Sequence, residues 1–492
     1  MSDAEVPKPV DDESTTLAKP GAPPAGGLKK ALGAVACVVG SAVAAYFVGE
    51  YNPNLEPAAI RGLFILLVAA SLWVTECIPA YSVGLLVIAM MITLLGRPGG
   101  VLFDESQTKG WEQFVKVLGH PLVWLFFGGF VLAAGMESCG LDRIFATGML
   151  GWFGKKPSGV MLGVMSVTFL LSMFISNTAT TAMMLAILAP LVAKTGGKDR
   201  FPTGLLIGCA VAANLGGLGS IIGTPPNGIV VGGLAQQEIK INFLQWMAIG
   251  LPPALLSMLI GWRLLLWMFP SSRDEIDAAA DLATGEDNAD RPGAGWRRVV
   301  VGLAILSTLG MWLTKQWHGV PTSAVALLPI VVFTTTGVLS ATQIRGLSYD
   351  VLFLLAGGLA LGDAIRLTGL SDWFVEVLPI DQLGQLGAIV LLAAATVTLS
   401  NVMSNTAAAT VLASIGVSAA VGFEAEAGLA IAFGASAAMA LPVATPPNAM
   451  VFSTGKIQSA DLLRVGIPLG LITPMLGIAW TKFVLPLLLG GE

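Results

Sequence analysis

The chain has 492 residues, of which 55% are hydrophobic and 12% are charged, and its formal net charge is −5. Soluble globular proteins carry roughly 25% charged residues, so the composition argues against a soluble fold. The acidic balance lacks the basic footprint of a nucleic-acid-binding protein. Two histidines and four scattered cysteines argue against a zinc centre or a disulfide framework.

The N-terminal region divides into a polar part and an apolar part. Residues 1–27 offer almost nothing to bury and predict a disordered cytoplasmic tail. The apolar stretch 28–50 has no convincing cleavage site, so it predicts an extra N-terminal transmembrane helix instead of a signal peptide.

Apolar stretches bounded by charges, glycine or proline continue to the C-terminus. Because roughly 20 apolar helical residues cross a bilayer, they predict about eleven transmembrane helices. These helices lie at about 30–48, 58–77, 79–96, 121–147, 202–237, 245–269, 297–316, 322–340, 350–370, 426–456 and 463–488. Two longer stretches, 158–193 and 385–420, carry polar clusters at their middle and predict re-entrant hairpins with tips buried in protein. The predicted fold class is an all-α polytopic membrane protein.

An internal repeat relates the two halves of the chain. A shift of 228 positions carries Ser-Asn-Thr at 176–178 onto Ser-Asn-Thr at 404–406, and a shift of 221 carries Thr-Pro-Pro-Asn at 224–227 onto 445–448. Matches in the same order predict two structural repeats. The first is 55–270, with hairpin 158–193 and broken helix 202–237; the second is 297–490, with hairpin 385–420 and broken helix 426–456. Residues 271–296 form a predicted linker.

Positive charges in short loops predict the orientation, because lysine and arginine mark the cytoplasmic side. Lys29 and Lys30 precede the first span, and five basic residues flank the first hairpin, whereas acidic residues border the second. The hairpins are therefore expected to dip in from opposite sides, which makes the repeat inverted. The N-terminus and the linker are predicted to be cytoplasmic and the C-terminus extracytoplasmic, in the cytoplasmic (inner) membrane.

Two proline pairs interrupt helices and suggest ion chemistry. Each Thr-Pro-Pro must break its helix, which frees the carbonyls of Gly223 and Ala444 for a small cation. The helix that follows each Ser-Asn-Thr presents free N–H groups, which favour an anion. No lysine or arginine lies in these segments, so bound cations are needed to compensate a dianion.

Other readings of these polar residues remain open. Ser, Thr and Asn in membrane helices often form hydrogen bonds between helices, although two copies at equivalent positions favour a binding site. Four carboxylates near predicted span ends are either ion or proton sites or ordinary boundary groups, namely Glu76, Glu137, Asp350 and Asp363.

At these motifs the sequence resembles the divalent-anion:sodium symporter family, the INDY-type dicarboxylate transporters. The similar segments are 171–184, 404–408 and 441–451, and the similarity extends from about residue 30 to the C-terminus. The resemblance implies a homodimer in which a transport domain moves against a scaffold domain by an elevator mechanism.

The resemblance also implies specific ligands. One sodium ion would be held by Ser172, Ser176, Asn177 and Gly223, and a second by Ser400, Met403, Asn405 and Ala444. Substrate carboxylates would meet Asn177, Thr178 and Thr224 on one side and Asn405, Thr406 and Thr445 on the other.

The expected function is sodium-coupled symport of a C4-dicarboxylate such as succinate, malate or fumarate, with no enzymatic activity and no organic cofactor. A sodium-independent exchanger and a citrate or sulfate carrier are alternatives within the family. An anion channel lined by the two hairpins is an alternative of a different class.

Overall fold

The computed structural model describes residues 27–97, 110–194, 199–276, 294–377 and 380–489. All regular elements in these ranges are helices. The predicted tail, except for its last residue, and most of the predicted linker 271–296 lie outside the described residues.

The first part of the chain forms eleven described α-helices. They are α1 Gly27–Tyr51, α2 Pro57–Thr75, α3 Ala80–Met90, α4 Glu112–Val115, α5 Pro121–Cys139, α6 Leu141–Leu150, α7 Pro157–Ser172, α8 Asn177–Lys194, α9 Phe201–Gly217, α10 Pro225–Gln236 and α11 Phe243–Met268. A π-helical turn, Met91–Gly96, extends α3, and short 3₁₀ turns follow α4 and α6.

The second part contributes twelve more. They are α12 Ala294–Leu313, α13 Lys315–His318, α14 Thr322–Val325, α15 Leu327–Thr335, α16 Ala341–Arg345, α17 Tyr349–Leu367, α18 Leu370–Val377, α19 Ile380–Val402, α20 Asn405–Ala419, α21 Glu424–Ala437, α22 Pro446–Ser453 and α23 Ser459–Leu489.

The predicted all-α membrane architecture is confirmed. Seven of the described helices are long and apolar enough to cross a bilayer, and α17 with α18 makes an eighth if this pair, bent by 77°, is one span. The other predicted spans are made of shorter pieces, including two helices broken at their middle. One of the seven is 383–402, which the sequence predicts as the first arm of the second hairpin.

Left-handed glycines explain where two predicted spans end early. The predicted span 121–147 stops at Cys139, because Gly140 has φ of +69° and caps the helix before α6 begins. Gly369, with φ of +70°, lies in the bend between α17 and α18. Glycine adopts this conformation without the steric penalty of a Cβ, so both positions turn the chain.

The two broken helices form the centre of the molecule. In α9 every residue except Thr203 is buried, and in α21 every residue from 427 to 437 is buried. Neither helix presents a polar stripe, as expected for helices surrounded by protein. By contrast, α1 exposes most of its apolar side chains on its outer face, as expected for a helix at the lipid boundary.

The pieces after the breaks pack reciprocally. Helix α10, which follows the first break, packs on α20 and α21 from the second part of the chain. Helix α22, which follows the second break, packs on α8 and α9 from the first part. Each hairpin is thereby joined to the broken helix of the other half, and both breaks lie in one buried region.

Outside this region, α3 and α17 cross at a pair of glycines. A Cβ on Gly357 would lie 2.1 Å from the Cα of Gly84, and one on Gly84 would lie 2.8 Å from the carbonyl oxygen of Phe353. Small residues let membrane helices approach this closely.

We therefore expect Gly357→Ala to destabilise the protein by about 1–3 kcal/mol, because the backbones must separate. The melting temperature of the purified protein measures this change. Gly302→Ala in α12 is the matched control, since a Cβ there meets nothing within 4 Å. Equal melting temperatures for both variants would contradict the close crossing.

Candidate functional site

The first Ser-Asn-Thr motif lies where α7 and α8 meet. Ser172 ends α7 and is fully buried. Its hydroxyl oxygen lies 2.6 Å from Asn177 Oδ1 and 2.7 Å from the carbonyl oxygen of Ala213 in α9. A hydroxyl carries one proton, so it can donate to only one of these acceptors at a time. The two acceptor oxygens therefore compete for the single hydroxyl proton.

Gly217 opens space beside this cluster. A Cβ at Gly217 would lie 3.0 Å from Asn177 Oδ1 and 3.3 Å from the carbonyl oxygen of Gly223. Both oxygens border the same small space, together with Asn177 Nδ2 at 3.2 Å from the same Cβ position, and glycine leaves this space open. Oxygen ligands of this kind suit a small hard cation.

The second motif contains two buried side-chain oxygens without a hydrogen-bond partner. Ser400 Oγ and Asn405 Oδ1 are buried, and neither has a hydrogen-bond partner among the described residues. Buried polar atoms are almost always paired, so two unpaired oxygens at one helix junction suggest a ligand. Met403 and Ala444, which are expected to contribute backbone carbonyls, are also buried.

The remaining predicted residues lie at helix N-termini. Thr178 is exposed and Thr406 is half-buried, each in the first turn of its helix, α8 or α20. Thr224 and Thr445 precede α10 and α22 and have extended backbones, with φ, ψ of −149°, 143° and −140°, 149°. Residues before proline prefer this conformation. At the starts of α8 and α20 the first N–H groups have no intrahelical acceptor, which suits an anion. Helices α10 and α22 begin with two prolines, so there the threonine hydroxyls before the prolines are the groups on offer.

Hydrogen bonds join each hairpin to its own break. At the first, Ser220 Oγ donates to the carbonyl oxygen of Met173 at the hairpin tip. At the second, the N–H of Ala440 donates to Asn401 Oδ1 over 2.9 Å. No hydrogen bond among the described residues joins the two Ser-Asn-Thr motifs directly.

Two asparagines that the predicted ligand sets omit stabilise the breaks. Asn227 Nδ2 donates to the carbonyl oxygens of Gly217 and Ser220, both at 2.8 Å. Asn448 Nδ2 donates in the same way to Met439 at 2.8 Å and Leu441 at 3.0 Å. The sequence signal for both residues was their place at the end of each Thr-Pro-Pro-Asn motif.

Asn214 is a further residue that the sequence analysis missed. Its Nδ2 lies 3.1 Å from Thr445 Oγ1 and 3.3 Å from Asn448 Oδ1. It therefore links α9 of the first part to the second break and fixes the hydroxyl of a predicted substrate residue. A single asparagine inside an apolar helix carries no local signal of this contact.

A cavity of about 470 Å³ opens beside the first hairpin tip. Ser176 and Ala179 line one wall, α5 contributes Glu137, and Gln343 to Ser348 close another side. Of the other candidate carboxylates, Asp363 pairs with Arg366 at 3.4 Å. Glu76 caps α2 with φ of 49°, and Asp350 lies in the first turn of α17. Glu137 shares this cavity with the motif residue Ser176.

The segments that form the two motifs and the two breaks carry no positive side chain of their own. The segments 171–181, 213–227, 399–408 and 439–448 contain no lysine or arginine. A buried anion without a positive partner is strongly disfavoured. Cations at the oxygen clusters would supply the positive charge that an anion at the helix ends needs.

Comparisons with known proteins agree with this chemistry. A family model described as citrate transporter (CitMHS) matches residues 70–428. The sodium-dependent dicarboxylate transporter SdcS of Staphylococcus saprophyticus is 28% identical over 471 residues, covering 89% of this chain and 88% of that protein. SdcS of Staphylococcus aureus strain USA300 is 29% identical over 468 residues, covering 87% of each.

A solved structure is also similar in fold. The YdaH transporter of Alcanivorax borkumensis superposes with a TM-score of 0.53 at 14% identity, covering 84% of this chain and 99% of that one. At this identity the likeness concerns the fold alone.

The space beside Gly217 yields a test of cation binding. Gly217→Ala is expected to fill it and to weaken sodium binding by roughly 100-fold, since losing an oxygen-lined site costs about 3 kcal/mol. The measurement is the rise in melting temperature with sodium concentration, with choline as the reference salt. Gly302→Ala is the control and should respond as the unmodified protein does. An unchanged sodium dependence in Gly217→Ala would show that no cation occupies this space.

Proposed function

The chain belongs to the citrate transporter family, and thus to the divalent anion:sodium symporters, and from this membership we propose that it couples sodium to the transport of C4-dicarboxylates such as succinate, malate or fumarate. It is a multi-pass membrane transporter and not an enzyme. The names of the SdcS relatives support both the ion and the substrate class.

One observation carries the proposal. At each Ser-Asn-Thr junction buried oxygens compete for one proton or lack a partner among the described residues, and the segments that form the junctions and breaks contain no lysine or arginine. Cations complete both clusters and at the same time offset the charge of a dianion. The transported anion and the transported cations are therefore expected to bind together.

The first sodium ion would be held by Ser172, Ser176, Asn177 and Gly223. Two of these oxygens border the space at Gly217. Ser176 Oγ accepts the N–H of Ala179 at 3.2 Å and keeps a lone pair for an ion. The second ion would be held by Ser400, Met403, Asn405 and Ala444, where the unpaired oxygens of Ser400 and Asn405 lie.

Asn177 and Asn405 would couple ion and substrate. An amide that directs Oδ1 to a cation turns its Nδ2 hydrogens outward, where they can donate to a carboxylate. Thr178 and Thr224 would complete one carboxylate site, and Thr406 and Thr445 the other. Asn214 would keep Thr445 in place through its 3.1 Å hydrogen bond. Sodium would thus preorganise the amides before the substrate binds.

The reciprocal packing of the breaks supports an inverted repeat and an elevator mechanism. The hairpins α7–α8 and α19–α20 would move with the broken helices as one transport domain. Helices α3 and α17, which cross at glycines, would belong to a fixed scaffold. The family resemblance adds a homodimer to the proposal. The loop charges add a cytoplasmic N-terminus in the cytoplasmic membrane.

Citrate is a second candidate substrate, because the matching family model is described as a citrate transporter. The two proposed carboxylate sites would hold an anion by two carboxylate groups, which both citrate and succinate provide.

Reconstituted protein should take up labelled succinate when sodium is higher outside the vesicles than inside. Unlabelled succinate, citrate and sulfate as competitors identify the substrate, and protein-free vesicles give the background. Equal uptake with choline in place of sodium would contradict coupling. Uptake that requires dicarboxylate inside the vesicles would identify an exchanger.

Asn177→Ala and Asn405→Ala should each lower uptake by roughly 100-fold. Each substitution removes one ion ligand and one substrate hydrogen-bond donor, and losing both contacts costs about 3 kcal/mol of binding free energy. Asn54→Ala is the matched control at an exposed position, and the amount of folded protein is measured for all three. Normal uptake by either variant in the motifs would rule out the two-site arrangement.

A further inference from the structure

A second cavity, of about 460 Å³, lies at the surface of the protein, away from both motifs. It is bordered by Arg200 just before α9, by the last turns of α11 and by the first turns of α23. We propose that this cavity, the basic cleft, binds an anionic phospholipid of the cytoplasmic leaflet through its phosphate group.

The charge of the basic cleft favours an anion. Arg200 donates to Asp461 over 2.6 Å, and its guanidinium lies 5.0 Å from the centre of the Phe269 ring. The Asp461 side chain is only 4% exposed, whereas that of Arg200 is 51% exposed. Arg200 is therefore held in place while part of its guanidinium faces outward.

Arg464 supplies the second positive charge. It is exposed, one turn beyond Asp461 on α23, and no carboxylate among the described residues pairs with it. The residues that line the cleft thus include two guanidiniums and no carboxylate. A phosphate between two guanidiniums can accept several charge-assisted hydrogen bonds.

The other walls of the basic cleft suit a lipid more than a soluble anion. Leu264, Met268 and Pro468 form an apolar surface, and Trp267 is 79% exposed at the end of α11. Tryptophan at a helix end is typical of the membrane interface. Ile467 and Leu471, 52% and 61% exposed, continue the apolar surface along α23 for acyl chains.

The surrounding charges indicate the leaflet. Arg263, Arg273 and Lys456 lie at the same end of these helices, and such an excess of positive charge is typical of the cytoplasmic side. Anionic lipids are recognised there by basic pockets between transmembrane helices. Neither cation cluster is involved, so lipid binding does not depend on the proposed transport function.

The test is lipid binding to the full-length purified protein, titrated with phosphatidylglycerol and measured by native mass spectrometry. Phosphatidylcholine and inorganic phosphate are parallel titrants. Phosphatidylglycerol is expected to bind preferentially, and inorganic phosphate to compete poorly because it lacks chains. Comparable binding of phosphatidylcholine, or of inorganic phosphate alone, would overturn the proposal.

Arg464→Gln should weaken phosphatidylglycerol binding about five- to tenfold, and Trp267→Ala should also weaken it. Both side chains are exposed, so neither change is expected to affect folding. Lys482→Gln, an exposed position at the other end of α23, is the matched control and should bind normally. Arg200 is left intact because its loss would leave Asp461 buried and unpaired. Unchanged binding by both cleft variants would refute the assigned site.

Discussion

The central physical constraint in this protein is the pairing of backbone carbonyls at two helix breaks inside a membrane protein. Proline removes the hydrogen bonds that would satisfy them, and no bulk water reaches the hydrocarbon region to replace these bonds. Asn227 and Asn448 meet the constraint with both hydrogens of each side-chain amide. Trp246 adds a third donor, to the carbonyl oxygen of Leu218 at 3.0 Å. Because the paired carbonyls need close partners, each break has to lie within packed helices, which is where the reciprocal contacts of α10 and α22 place it.

The carbonyls and side-chain oxygens that remain after this pairing define the candidate site. At the first cluster the proton of Ser172 is shared among acceptors, so a cation would compete with an existing hydrogen bond. At the second cluster Ser400 Oγ and Asn405 Oδ1 make no hydrogen bond with the part of the chain that the structure describes. The repeat therefore does not produce two identical sites. Asn214 adds to the difference, since its contact with Thr445 couples the first broken helix to the second break.

The proposed transport site and the proposed lipid site thus lie at different depths in the protein. The buried breaks carry the oxygen clusters, and the outer ends of α9, α11 and α23 carry arginine and tryptophan. Arg200 precedes α9, whose other end is Gly217 at the first cluster, so one buried helix connects the basic cleft to the space beside Asn177. The ion pair of Arg200 with Asp461 fixes the outer end of this helix against α23.

The sequence by itself determined the helical membrane class, the two Ser-Asn-Thr junctions and both proline breaks, because each depends on local rules of hydropathy, backbone geometry and missing N–H groups. It also predicted which residue types would hold ions, since the oxygen ligands are next to the breaks in the chain. It did not determine that 121–147 ends at Gly140 or that α17 and α18 bend by 77°. Only the tertiary structure decided that Gly217 leaves a space beside Asn177 and that Asn214 contacts Thr445, 231 positions later. Such contacts depend on how separate helices pack, and no periodicity within one helix encodes them.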